Sequence, residues 1–417
     1  MIPRYICVLF CIICHGDLFS QVTLTGKVIN AETKQTLSGT SVYLSNTSFG
    51  DSTNDKGIFT LTGIRHGSYK LVVSYTGFET FVMQVTTNTG PQQLLIELKP
   101  KTEELSEIVL QPYETNGWDK WGQFFIDNFI GSTPYAKDCF LENYTALRFR
   151  FNKKLNTLFA YAKQPLVIKN YSLGYKISYS LQEFEFDFSS QTLSYSGYPL
   201  FIDMSKELPG RARSWRKKRA ETYNGSLMHF MRSFSFNRLT EEQFEMRSLD
   251  TVDNAAKARA KYLFGLRKDT TIERMIDTIW KFTVDGFRRN VKTEDSTAYY
   301  KRALTQPDRI VSHALVARDS VGTDIDSITT KFYTPSPLEV ISLSGLFPME
   351  YKRVFPEHRF EKSPVSQLTF INKTPIAILN NGAYSGPHDL RITGFWSWWE
   401  TIATMLPYDY VPPLNYK

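Results

Sequence analysis

Between Val22 and Leu98 the chain alternates apolar and polar residues in short runs, each closed by turn residues. Val22-Thr23-Leu24-Thr25-Gly26-Lys27-Val28-Ile29 alternates, then Asn30-Ala31-Glu32-Thr33 turns. Ser41-Val42-Tyr43-Leu44 follows, and Thr53-Asn54-Asp55-Lys56-Gly57 leads tightly into Ile58-Phe59-Thr60-Leu61. Gly67 to Tyr75, Phe81 to Val85 and Leu94 to Leu98 complete the series. Successive strand side chains point to opposite faces, so a period of two with such turn spacing predicts an all-β sandwich of about seven strands.

These residues also carry a resemblance. Gly26-Lys27-Val28, Gly39 to Leu44, the Asp55…Gly57…Phe59 hairpin, Gly67-Ser68-Tyr69 and Gly77-Phe78 resemble the carboxypeptidase regulatory-like domain. That family is a transthyretin-like Greek-key sandwich found beside metallocarboxypeptidases and at the front of TonB-dependent outer-membrane receptors. The resemblance covers residues 21–100 and implies an architecture and a cell-envelope setting, with no active site. A stretch like Leu105-Ser106-Glu107-Ile108-Val109 joins the domain to the plug in such receptors. The roughly 300 residues that follow are too few for a plug and a large barrel.

The first twenty residues predict export. Arg4 precedes the apolar run Tyr5 to Cys14, and Ser20 is a small residue where a signal peptidase would cut. The expected domains are a signal peptide at 1–20, the sandwich at 21–100, a linker at 101–117 and a larger domain at 118–417. The expected location is the periplasm or outer-membrane surface of a Gram-negative bacterium. Removal of Cys7, Cys11 and Cys14 leaves Cys139 alone, which excludes an internal disulfide and reads as a small buried side chain.

The larger domain reads as mostly antiparallel β with helical insertions. Trp118 to Ile130 predicts a helix with Trp121, Phe124, Phe125 and Phe129 on one face. Strands dominate from Tyr144 to Leu200 and resume from Phe244 to Tyr333. A helical insertion lies between, near 206–240, with Ser226 as an N-cap. Phe395 to Leu406 predicts a tryptophan-rich helix stopped by Pro407. The segments Cys139-Phe140, Pro165 to Tyr175 and Tyr223 to Phe230 resemble a companion region in exported proteins that carry the same sandwich.

The chain's net charge of +7 is local. Lys206, Arg211, Arg213, Arg216, Lys217, Lys218 and Arg219 face one acid, Glu207, within fourteen residues. Such a run reads as a solvated face or as a contact for an anionic envelope glycolipid, with Arg211, Arg213, Arg216, Lys217, Lys218 and Arg219 as its members. An exported protein without a recognition motif is not expected to bind nucleic acid. The one His-x-x-Glu, His358…Glu361 with His388 downstream, is a weak zinc candidate, and no cofactor motif is present. Trp396, Trp398 and Trp399 suggest core packing, or a platform for stacking sugars. Asp-Ser/Thr tripeptides at Asp51, Asp250, Asp269, Asp277, Asp295, Asp319 and Asp326 resemble an O-glycosylation signal of exported proteins.

The expected function is a non-enzymatic envelope binding or assembly protein whose partner is an envelope protein or glycolipid. The alternative is an envelope hydrolase, metallopeptidase-like or glycan-acting, with convergent His and acidic side chains. The sequence specifies no oligomeric state.

Overall fold

A computed structural model describes residues 21–87, 92–101, 112–265, 296–345 and 347–413. The signal-peptide expectation, most of the linker and the tripeptides at Asp269, Asp277 and Asp295 lie outside these residues.

The alternating region forms seven strands: β1 (Val22–Asn30), β2 (Ser41–Leu44), β3 (Gly50–Ser52), β4 (Ile58–Ile64), β5 (Ser68–Ser74), β6 (Phe81–Thr86) and β7 (Gln92–Leu98). They make two sheets, β4-β1-β7 and β3-β2-β5-β6, with β1 and β7 parallel and the other pairs antiparallel. The inward residues of both sheets, among them Leu24, Val28, Phe59, Ile96, Val42, Leu71 and Val73, are at most 1% exposed. The Gly57 N–H closes the β4 hairpin on the Asn54 carbonyl (2.8 Å), and a φ of +72° there suits glycine.

The larger region starts with helix α1 (Gly117–Phe129), whose Phe125 and Phe129 are fully buried. Their rings meet Phe149, Phe184 and Tyr179 at centroid distances of 4.8 to 5.9 Å. Those partners belong to a six-stranded antiparallel sheet of β8 (Cys139–Leu141), β9 (Leu147–Asn152), β10 (Thr157–Ala162), β11 (Leu166–Asn170), β12 (Tyr175–Asp187) and β13 (Thr192–Asp203). Two helices, α2 (Ala212–Tyr223) and α3 (Leu227–Ser235), lead to a five-stranded sheet that contains Phe244–Ser248, Leu338–Ser342, Val365–Phe370 and Leu390–Gly394. Ser226 caps α3, its side chain accepting the His229 N–H.

Two expectations need correction. The stretch from Phe244 to Tyr333 is not continuous strand, for it includes the helices Ala255–Gly265 and Ser296–Thr305. The C-terminal helix spans only Phe395–Trp399. Its continuation is captured by distant acceptors: the Ile402 and Ala403 N–H groups bond the carbonyls of Phe129 and Ile130 at the end of α1 (3.4 and 3.1 Å). The Glu400 side chain turns back onto α3, where Oε1 accepts the Leu227 N–H (2.8 Å). Burial pushes the Glu400 carboxyl up to about 7, and that N–H only partly offsets the rise.

The β2–β3 turn is clamped by the larger region. The Asn46 N–H donates to Pro199 (2.7 Å), the Phe201 N–H to Thr47 (3.0 Å) and the Tyr408 N–H to Asn46 (2.6 Å). Tyr43 places its hydroxyl 3.0 Å from both the Ser180 hydroxyl and the Tyr198 carbonyl. Asp409 accepts the Ser48 N–H (2.9 Å) and its hydroxyl.

Candidate functional site

The basic run folds as the turn Pro209–Arg211 followed by α2. The helical period sorts its cations. Trp215, Arg219 and Tyr223, each four residues apart, face inward. Trp215 donates its indole N–H to the Tyr171 carbonyl (2.8 Å). Arg219 is 6% exposed and fully engaged. It donates to the carbonyls of Leu173 and Gly174 (2.6 and 3.0 Å), pairs with Asp203 (2.8 Å) and lies 3.8 Å above the Tyr175 ring. Burial raises the Asp203 carboxyl, but hydrogen bonds from Arg219 and Ser205 outweigh it and hold the group at about 2. Gly174, at φ +73°, makes room for this arrangement, because a Cβ there would fall 2.2 Å from the Trp215 ring. Arg219 is therefore a structural residue and leaves the anion-binding set.

The opposite face is open. Arg211, Arg213, Arg216 and Lys217 are exposed, and Lys218 is half-buried with its ammonium 6.0 Å above Tyr135. Lys217 reaches Glu221 only loosely, at 3.8 Å. Among the described residues Arg213 and Arg216 have no acidic partner. Arg211 sits 6.0 Å over the Tyr171 ring, whose other neighbour is Phe140 at 6.0 Å. Phe140 is 55% exposed, and Leu208, whose carbonyl accepts the Arg211 N–H, is also exposed. The cations thus adjoin solvent-facing apolar side chains.

The start of α2 is electrostatically unfavourable in isolation. Its N-cap, Arg211, makes no side-chain cap hydrogen bond, and the first turn holds no acid. The turn Pro209–Arg211 takes up the first N–H groups, but the helix dipole still places partial positive charge at this end, where Arg213 and Arg216 add like charge.

The other sequence candidates fall differently. Trp396, Trp398 and Trp399 are 2%, 8% and 2% exposed, so no sugar can stack on them. They pack in the core against Phe230, Tyr351 and Tyr135, and Trp396 donates its N–H to the Gly225 carbonyl (2.8 Å). His358 and Glu361 bond each other (2.8 Å), but His388 lies exposed on the turn Pro387–Asp389. Among the described residues no three His, Cys, Asp or Glu side chains converge as a metal site. Ser52, Thr251, Ser320 and Ser327, the hydroxyl residues of four tripeptides, are exposed. Glu400 and the tyrosines around it carry no motif and were invisible to sequence reasoning.

Residues 24–110 match the family model of the CarboxypepD_reg-like domain, so the sandwich is a domain of that kind. No curated protein matches the chain. Among solved structures, a cohesin–X-dockerin complex from Acetivibrio cellulolyticus is 18% identical at a TM-score of 0.17, over 18% of this chain and 56% of that one. The pilus 2b backbone protein of group B streptococcus is 22% identical at 0.17, over 20% and 42%. A DUF3823 family protein from Bacteroides uniformis is 11% identical at 0.15, over 44% and 99%. The chain spans about half the length of the first two. These likenesses are local, and no property passes through them to this chain.

Proposed function

We propose that this chain, built on a CarboxypepD_reg-like sandwich, is an exported, non-enzymatic cell-envelope protein that binds anionic amphiphiles through the outer face of α2. The observation that carries the reading is the unpaired Arg213 and Arg216 at the uncapped, positive start of that helix. Phosphate groups of lipid or glycolipid headgroups offer the missing negative charge to the guanidinium groups at the helix start. Phe140 and Leu208 supply apolar surface beside Arg211, as contact with a lipid boundary requires. The periplasmic or outer-membrane setting belongs to the same reading.

The test is flotation of the full chain with phosphatidylglycerol vesicles, phosphatidylcholine vesicles and lipopolysaccharide micelles. Each cation near an anionic surface contributes roughly 1 kcal/mol. Replacing Arg211, Arg213, Arg216 and Lys217 with Gln should therefore weaken binding to the anionic particles about a hundredfold or more at low salt. Equal binding by the quadruple variant, or equal binding to phosphatidylcholine, would defeat the reading. Arg219 stays in place, since its loss would perturb the fold itself.

A further inference from the structure

A cleft of 340 Å³ opens where the sandwich meets the larger region. One wall holds Tyr69, Lys70 and Gln84 of strands β5 and β6, and the other holds Asn381, Tyr384 and Tyr408. Its size falls at the lower end of the roughly 300–1,000 Å³ common for small-molecule sites. Both walls are fixed, because the Tyr408 N–H bonds Asn46 of the clamped turn and Arg232 donates to the carbonyls of Asn381 and Tyr408 (2.9 Å each).

Part of the polar lining is unspent. The Asn381 side chain is turned away from a ligand: Oδ1 accepts the Ala383 N–H (3.0 Å), and Nδ2 is enclosed by the fold. No hydrogen bond among the described residues engages the hydroxyls of Tyr384 and Tyr408. Gln84 is exposed and donates only to the Ser68 hydroxyl (2.6 Å).

The mixture selects a ligand class. Lys70 is the only formally charged side chain on the lining, and no acid joins it, so neither a polyanion nor a cation is matched. The rings of Tyr384 and Tyr408 offer apolar faces with hydroxyl tips, and the exposed Gln84 amide offers a paired donor and acceptor. A main-chain strand would need a regular ladder at one edge, whereas these groups are side chains on two facing walls. We infer that the cleft between the sandwich and the larger region is a binding site for an uncharged saccharide, which lies against the rings of Tyr384 and Tyr408 and hydrogen-bonds to their hydroxyls and to Gln84. The site is separate from the α2 face and does not depend on it.

The experiment presents the full chain with a printed panel of neutral di- to tetrasaccharides of hexose, N-acetylhexosamine and deoxyhexose, together with acidic counterparts. The best neutral ligand is then titrated calorimetrically against three variants. Gln84→Trp projects an indole into the cleft from an exposed strand position and should reduce affinity at least tenfold. Tyr384→Phe removes one hydroxyl and should cost about threefold to tenfold. Arg216→Gln should change nothing here. Absence of neutral binding, binding to acidic glycans alone, or full affinity in a folded Gln84→Trp protein would each overturn the inference.

Discussion

Glu400→Gln isolates a carboxyl that burial holds well above its usual titration range. Glu400 accepts the Leu227 N–H at the start of α3, and burial moves its carboxyl from 4.5 to about 7. Between those values the folded chain keeps a proton that the unfolded chain releases. Stability from this group is therefore fully present below pH 4.5 and declines as pH rises to about 7. Each pKa unit corresponds to about 1.4 kcal/mol, so the whole decline amounts to about 3 kcal/mol. Glutamine keeps the shape and the acceptor for Leu227 but cannot ionise. Urea unfolding of both proteins at pH 4.5 and pH 8 reads the effect as a difference of differences. The variant should match wild type at the lower pH and exceed it by up to about 3 kcal/mol at the higher. A gap that is the same at both pH values would refute the argument, because it would mean that Glu400 titrates alike in the folded and unfolded chains.

Two further outcomes follow from the same geometry. Arg219→Gln leaves Asp203 and two buried carbonyls without their donor and should cost about 3 kcal/mol in denaturant titrations, while Arg216→Gln should stay within about 0.5 kcal/mol; equal costs would mean that the helix faces are assigned wrongly. Burial, aided by Asp138, pushes the Cys139 thiol up to about 12, so a chain beginning at Gln21 should not react with Ellman's reagent at pH 8 until guanidinium unfolds it, and prompt reaction of the native protein would contradict this.

The sandwich was legible because its determinants are local: alternation sets the two faces, and Asn54 and Gly57 set the turn within four residues. The same holds for α1 and for the Ser226 cap. The short C-terminal helix was not legible, since the acceptors that unwind it belong to Phe129 and Ile130, more than 250 residues away in sequence. The charge run was read by its sum, which cannot separate inward from outward cations. The spacing of Trp215, Arg219 and Tyr223 did hold that information, for an arginine four residues from a buried tryptophan shares its face. The cleft residues come from β5, β6, the Asn381–Gly382 turn and the strand-free segment near Tyr408. Only the fold assembles them, so no motif could announce them.

The clamp on the β2–β3 turn has a mechanical meaning. Because main-chain hydrogen bonds from two separate parts of the larger region grip Asn46 and Thr47, the sandwich is not a bead on a tether. A pull on the sandwich is passed to β13 through Pro199 and Phe201 rather than spent in stretching the connecting segment. Heat should likewise melt both parts in one calorimetric transition, so the sandwich reports, by its orientation alone, where the larger region points.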